Sequence, residues 1–182
     1  FARSGGAGPG AGGPLARRWF DFRVQQHAAI QARYYAALKK HYPDIPFWIC
    51  TDPLHAPPEA PLRDWCGVDE RLGDDHCDLH TPMIYYAGLR FFEDLAFNRQ
   101  HLKKPIFVFV DPAEMLERYF VRYTPQTVKQ NILVAAALGC IGFGFWPDDA
   151  LDGRYLTRIA EGFGLVGLAE AYYAGARDDA AA

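Results

Sequence analysis

The 182 residues are half apolar and 15% aromatic, which is enough material for one domain with a real core and excludes a disordered or low-complexity chain. A formal charge of −3 with both signs interspersed leaves no basic stripe for nucleic acid and no polybasic anchor for a membrane. No stretch reaches the length of an uncharged membrane span, the first residues lack a signal-peptide pattern, and the compartment stays open.

Residues 1–14 are dominated by Gly and Pro and are expected to form a flexible loop or linker. The start at Phe1 rather than Met leads to the expectation that the chain is a piece of something longer. A long helix is predicted over 15–41. Phe20, Val24, Ala28, Gln31, Tyr35 and Leu38 recur at three- and four-residue steps, while Arg17, Arg23, Arg33 and Lys40 face water. Residues 45–52 read as a buried strand finishing on Asp52, and the four prolines of 53–61 make the following segment an irregular loop.

A short helix is expected over 62–72, with Arg63, Asp64, Asp69 and Glu70 solvated. Residues 78–86 read as the next strand. The amphipathic segment 88–102 follows, with Leu89, Phe91, Phe92 and Leu95 as its buried stripe. Within Lys103–Glu114 a continuous apolar run is fenced by Pro105 and Pro112, the pattern of a parallel strand covered on both faces, and Asp111 stands at its carboxyl end. Thr124-Pro125 supplies an N-cap and a first-turn proline for a helix that Gly139 ends. The glycine-alternating run 140–146 is the last strand, and a helix over 154–173 precedes a tail, 176–182, expected to fray.

This βα alternation argues for an α/β fold with a parallel sheet. No Gly-x-Gly-x-x-Gly follows the first strand, so a dinucleotide-binding sheet is disfavoured. A (β/α)₈ barrel takes roughly 250 residues. The chain is therefore expected to be a partial TIM (β/α)₈ barrel of about four parallel βα units, occupying residues 15–175. Cys50, Cys66, Cys77 and Cys140 show no C-x-x-C spacing and read as reduced thiols.

Several stretches between residues 19 and 165 resemble the C-terminal half, strands five to eight, of a (β/α)₈-barrel glycoside hydrolase from the retaining clan that includes the β-galactosidases. They are Trp19-Phe-Asp-Phe-Arg23 leading to Thr51-Asp52, Gly67-Val-Asp69 with Cys77-Asp78 and Pro82-Met-Ile-Tyr-Tyr86, and Thr124-Pro-Gln-Thr-Val-Lys-Gln130 with Ala137-Leu-Gly-Cys-Ile-Gly-Phe-Gly-Phe-Trp146. The resemblance implies hydrolysis of O-glycosidic bonds by two carboxyl groups about 5 Å apart. The proton donor would close the fourth strand, before Phe1, in the missing N-terminal half of the barrel. The nucleophile would close the seventh strand, where Asp111 stands, with Glu114 one helical turn later. The family has Glu at that strand end, so Asp111 is a departure.

Each assignment has a plainer alternative. Asp111 also suits a turn cap, and Glu114 a first-turn helix acid. Trp146 is either the floor for a sugar ring or core. Alternation lets only one of Tyr85 and Tyr86 face the mouth. Asp52 and His55 are candidates for binding sugar hydroxyls, and Asp148 either joins them or makes a turn. A carbohydrate substrate is implied; no cofactor, nucleic acid or membrane partner is. The competing readings are a metal-dependent barrel hydrolase or isomerase using Asp52, His55, Asp78, His80 and Asp111, and a non-catalytic carbohydrate-binding barrel.

Overall fold

The computed structural model describes residues 13–51, 53–54, 67–85, 87–110, 124–145 and 152–181. The first element is α1 (Pro14–His41), which buries Val24 and Gln31 and half-buries Phe20, Ala28, Tyr35 and Leu38 while its arginines at 17, 23 and 33 stay exposed. That stripe is the one the three- and four-residue spacing predicts. β1 (Trp48–Thr51) follows, then the four-residue helix α2 (Glu70–Gly73) running into a 3₁₀ turn, Asp74–His76, and β2 (Leu79–Pro82). The remaining elements are α3 (Leu89–His101), β3 (Phe107–Val110), α4 (Pro125–Ala137), β4 (Gly142–Phe145) and α5 (Gly153–Ala181).

All strand pairing is parallel. β1 pairs with β2 and β3 with β4, in two short sheets. Single parallel bridges, His80 to Ile106 and Met83 to Phe109, connect β2 to β3. The amide of His80 donates to the Pro105 carbonyl at 2.9 Å and that of Ile84 to the Phe109 carbonyl at 2.8 Å. The chain is α/β, with its strands side by side in sequence order.

Because successive strand residues alternate faces, the register sorts the side chains into two sets. Ile106, Val108, Val110 and Phe143 lie on the helix-covered face and form the core with Ile84, Phe91, Leu95, Val128, Ile132 and Ala135. Phe107 and Phe109 lie on the other face, over Gly142 and Gly144. A Cβ on either glycine would collide with those rings, which explains the alternating glycines of β4. α4 starts as its sequence dictates: Thr124 Oγ1 accepts from the Thr127 amide at 3.1 Å, and Pro125 occupies the first turn. Gly139, at φ +72°, ends it in the left-handed conformation.

Five features depart from the sequence pattern. Asp69 and Glu70 are buried rather than solvated, and the described helix, Glu70–Gly73, is capped by Asp69, whose carboxylate accepts from the Arg71 amide and pairs with the Arg71 guanidinium at 2.7 Å. Residues 62–66 of the expected helix, with Arg63 and Asp64, lie outside the described residues. Leu89 and Phe92 are exposed, and the buried stripe of α3 is Phe91, Asp94, Leu95 and Asn98. In β1, Trp48 is 55% exposed and Cys50 exposed, because β2 is its sole strand neighbour among the described residues. β3 alternates between half-buried and buried positions instead of being sealed on both faces. Finally, α5 continues past Tyr173 to Ala181, through residues the pattern assigns to a frayed tail. Residues 1–12 of the Gly/Pro-rich stretch lie outside the described residues. No described helix is long and apolar enough to cross a membrane.

Candidate functional site

Parallel pairing puts the carboxyl ends of the strands on one side. Thr51 stands level with Pro82, and Val110 with Phe145. Asp52, Asp111 and Trp146 are the next residues in the chain after three of those ends. They lie outside the described residues, as do Glu114, His55, Tyr86 and Asp148. Of the expected site residues, Tyr85 alone is described: it is half-buried, directly after Ile84, beyond the carboxyl end of β2.

The segment after β1 is tied down by a side chain that hydrophobic patterning does not reveal. Asn98, buried on α3, accepts from the Leu54 amide at 3.1 Å and donates to the Leu54 carbonyl at 2.8 Å and to the Asp94 carbonyl at 2.7 Å. Its carboxamide thus substitutes for a strand partner, satisfying both main-chain groups of a buried residue. One turn earlier, Asp94 pairs with Arg90 at 2.8 Å.

At the opposite, amino ends of the strands sits a second polar assembly. The Asp78 carboxylate accepts from the Phe47 amide at 2.7 Å and the Tyr35 hydroxyl at 3.1 Å, and pairs with Lys39 at 2.6 Å. It links α1, the approach to β1 and the start of β2. Burial would raise Asp78, but the bonds from Lys39, the Phe47 amide and Tyr35 outweigh it and hold the carboxyl below its usual range. Gln31 of α1 reaches the same region, donating to the Gly73 carbonyl at 2.7 Å and the His76 carbonyl at 3.2 Å.

Deeper still, Asp74, Cys77 and His80 come together. His80 Nε2 lies 2.8 Å from Asp74 Oδ1 and 3.5 Å from Cys77 Sγ, and His80 Nδ1 lies 3.9 Å from Glu70. The Asp74 carboxylate also accepts from the Lys103 and Lys104 amides, at 2.9 and 3.2 Å, which ties the 3₁₀ turn to the approach of β3. Burial would raise Asp74, but the bonds from His80 and those two amides hold it below its usual range. Burial lowers His80 against the pull of the Asp74 carboxylate. Burial and the Asp74 charge push the Cys77 thiol up to about 12. The sequence pattern groups Asp78 and His80 with Asp52, His55 and Asp111 as a rival metal set, although both open their strand, and does not single out Asp74 or Cys77. The Asp-x-x-Cys-x-x-His spacing was the signal that would have found them.

No protein-family model matches the sequence, and no curated protein does either. Among solved structures, a chitinase from Chromobacterium violaceum aligns with a TM-score of 0.61 at 11% sequence identity. The alignment covers 79% of this chain and 62% of the chitinase, so the chain spans less than two thirds of that protein. The fold is similar to that of this chitinase. At this identity the likeness is one of architecture, and it assigns no residue a role. The two ends of the strands differ in kind: the amino-side assembly consists of groups bonded to one another, whereas the carboxyl side leads directly into Asp52, Asp111 and Trp146.

Proposed function

We propose that the chain is the strand-five-to-eight half of a (β/α)₈ barrel that hydrolyses O-glycosidic bonds, with its substrate at the carboxyl ends of the strands. The observation that carries this reading is the register: four parallel strands in chain order, with carboxyl ends on one side, the side on which such folds place their chemistry. The outer strands support it too. Among the described residues β1 has one strand neighbour and so does β4, and the face away from the helices carries Trp48, Cys50, Phe107 and Phe109, which further strands would cover. The chitinase likeness speaks for carbohydrate hydrolysis in general; membership of the β-galactosidase clan rests on the sequence motifs.

In this reading Asp111 or Glu114 attacks or stabilises the anomeric carbon, and the proton donor belongs to the complementary half of the barrel. Trp146 stacks against a sugar ring, and Asp52, His55, Asp148 and one of Tyr85 and Tyr86 bind hydroxyls. The metal-dependent alternative loses two of its residues to geometry. Asp78 is committed to Lys39, Tyr35 and Phe47, and His80 lies at the amino ends of the strands.

The test is hydrolysis of a panel of chromogenic glycosides by the full-length protein and by its Asp111→Asn and Glu114→Gln forms. We expect turnover of at least one glycoside and a loss of about a hundredfold or more in one variant. Unchanged rates in both variants would sink these assignments. Sugar binding without turnover would favour the non-catalytic barrel.

A further inference from the structure

The segment Asp74-Asp-His-Cys77-Asp-Leu-His80 spaces three different donors at three-residue steps, and the passage from the 3₁₀ turn into β2 folds those steps onto one point. A carboxylate oxygen of Asp74, the sulfur of Cys77 and a ring nitrogen of His80 lie within 4.8 Å of one another, and all three residues are buried. We propose that Asp74, Cys77 and His80 hold a divalent transition-metal ion of the zinc class at the amino ends of β2 and β3, three protein ligands that leave a fourth position for water.

The donor chemistry selects the ion. One sulfur, one imidazole and one carboxylate suit zinc or cobalt, not magnesium or calcium, which take oxygen shells. The geometry agrees. Zinc–sulfur and zinc–nitrogen bonds of about 2.3 and 2.0 Å set at a tetrahedral angle separate the two ligand atoms by about 3.5 Å, and Cys77 Sγ stands 3.5 Å from His80 Nε2. The 2.8 Å between Asp74 and His80 is a hydrogen bond, and it would open by about half an ångström when an ion replaces the shared proton.

The surroundings already do what an outer shell must do. The Lys103 and Lys104 amides fix the Asp74 carboxylate, which keeps lone pairs for an ion. In the metal-free form Nε2 shares its proton with Asp74; ligation takes the other tautomer, with the proton on Nδ1 on the side of the buried Glu70 carboxylate 3.9 Å away, which frees Nε2 toward the ion. A carboxylate behind a ligating histidine is the usual way its tautomer is set. Charge balances as well: carboxylate plus thiolate neutralises a divalent ion, which removes the main penalty for burying it. On binding the thiol proton leaves to solvent, the ring proton passes from Nε2 to Nδ1, and no redox change is involved. This inference is independent of the sugar site, which lies at the other ends of the strands.

The test is cobalt titration of the full-length protein after removal of metal with a chelator. We expect one equivalent to produce a thiolate-to-cobalt charge-transfer band with tetrahedral visible absorption, displaced by zinc, lost in Cys77→Ser and retained in Cys140→Ser. A second readout does not need a variant: saturating zinc should slow alkylation of Cys77 in mild urea at least about tenfold, read by peptide mass spectrometry. Absence of the band in folded wild-type protein, its persistence in Cys77→Ser, or zinc-independent alkylation of Cys77 would overturn the site.

Discussion

Beneath β3 and β4 the packing is aliphatic and aromatic, with Ile106, Val108, Val110, Val128, Ile132 and Phe143 closed against α3, α4 and α5. Around β1 and β2 the buried side chains include Gln31, Asp69, Glu70, Asp74, Thr81 and His80 beside Val24 and Cys77, and α1 is tied to this half by hydrogen bonds and the Lys39–Asp78 ion pair. The two halves share strand direction and register but not their source of stability. An apolar core spreads its contribution over many contacts, so losing one group costs in proportion to the volume removed. A buried polar assembly concentrates its contribution, because deleting one acceptor leaves several donors without partners.

That contrast is open to attack at its strongest point first. Asp74→Ala leaves two main-chain amides and the His80 ring without their carboxylate and should cost about 3–5 kcal/mol by urea denaturation with chelator present. A loss below about 1 kcal/mol would mean that water replaces the carboxylate freely and that the amino-side assembly is not structural. In the other half, Ile106→Ala should cost about 3 kcal/mol and Ile106→Val about 1, scaling with the methyl groups removed from a fully buried site. Equal losses for the two substitutions would show that the core around Ile106 collapses into the space rather than holding a cavity.

The smallest expected effect separates the halves by pH. Asp78 has a folded pKa below the unfolded value near 3.8. Its contribution is therefore complete above that value and disappears as the pH falls through the folded pKa. Acidification below about pH 4 should loosen the β1–β2 half first, seen as faster amide exchange in β1 and the second half of α1 than in β3 and α4. Asp78→Asn, costing about 1 kcal/mol at neutral pH, should flatten that difference. Uniform loss of protection across all four strands in both proteins would contradict it.

What the sequence revealed follows the same division. The βα alternation, the Thr124-Pro125 start and Gly139 stop of α4, and the stripe of α1 were legible because each rests on a local rule: period, cap chemistry or a left-handed glycine. The glycines of β4 showed as a pattern, yet their reason, the Phe107 and Phe109 rings lying over them, needed the register. Asp69 and Glu70 read as surface charge because charge is usually solvated; Arg71 stands two residues from Asp69, but only the fold brings His80 to Glu70. Leu89 and Phe92 failed for the opposite reason: an apolar residue at helical spacing carries no mark of whether a neighbour will cover it. For the candidate site, the sequence marked which residues follow the strand ends, and the structure supplies the common side of those ends without describing Asp52, Asp111 or Trp146 themselves.

Diffraction from crystals of the full-length Asp111→Asn protein soaked with the glycosides of the panel bears most directly on the central claim. The account predicts a sugar at the carboxyl side of the strands, one ring packed within about 4 Å of the Trp146 indole and an anomeric carbon facing residue 111. Sugar density at the amino side, or residues 111 and 146 directed toward opposite ends of the strands, would contradict it.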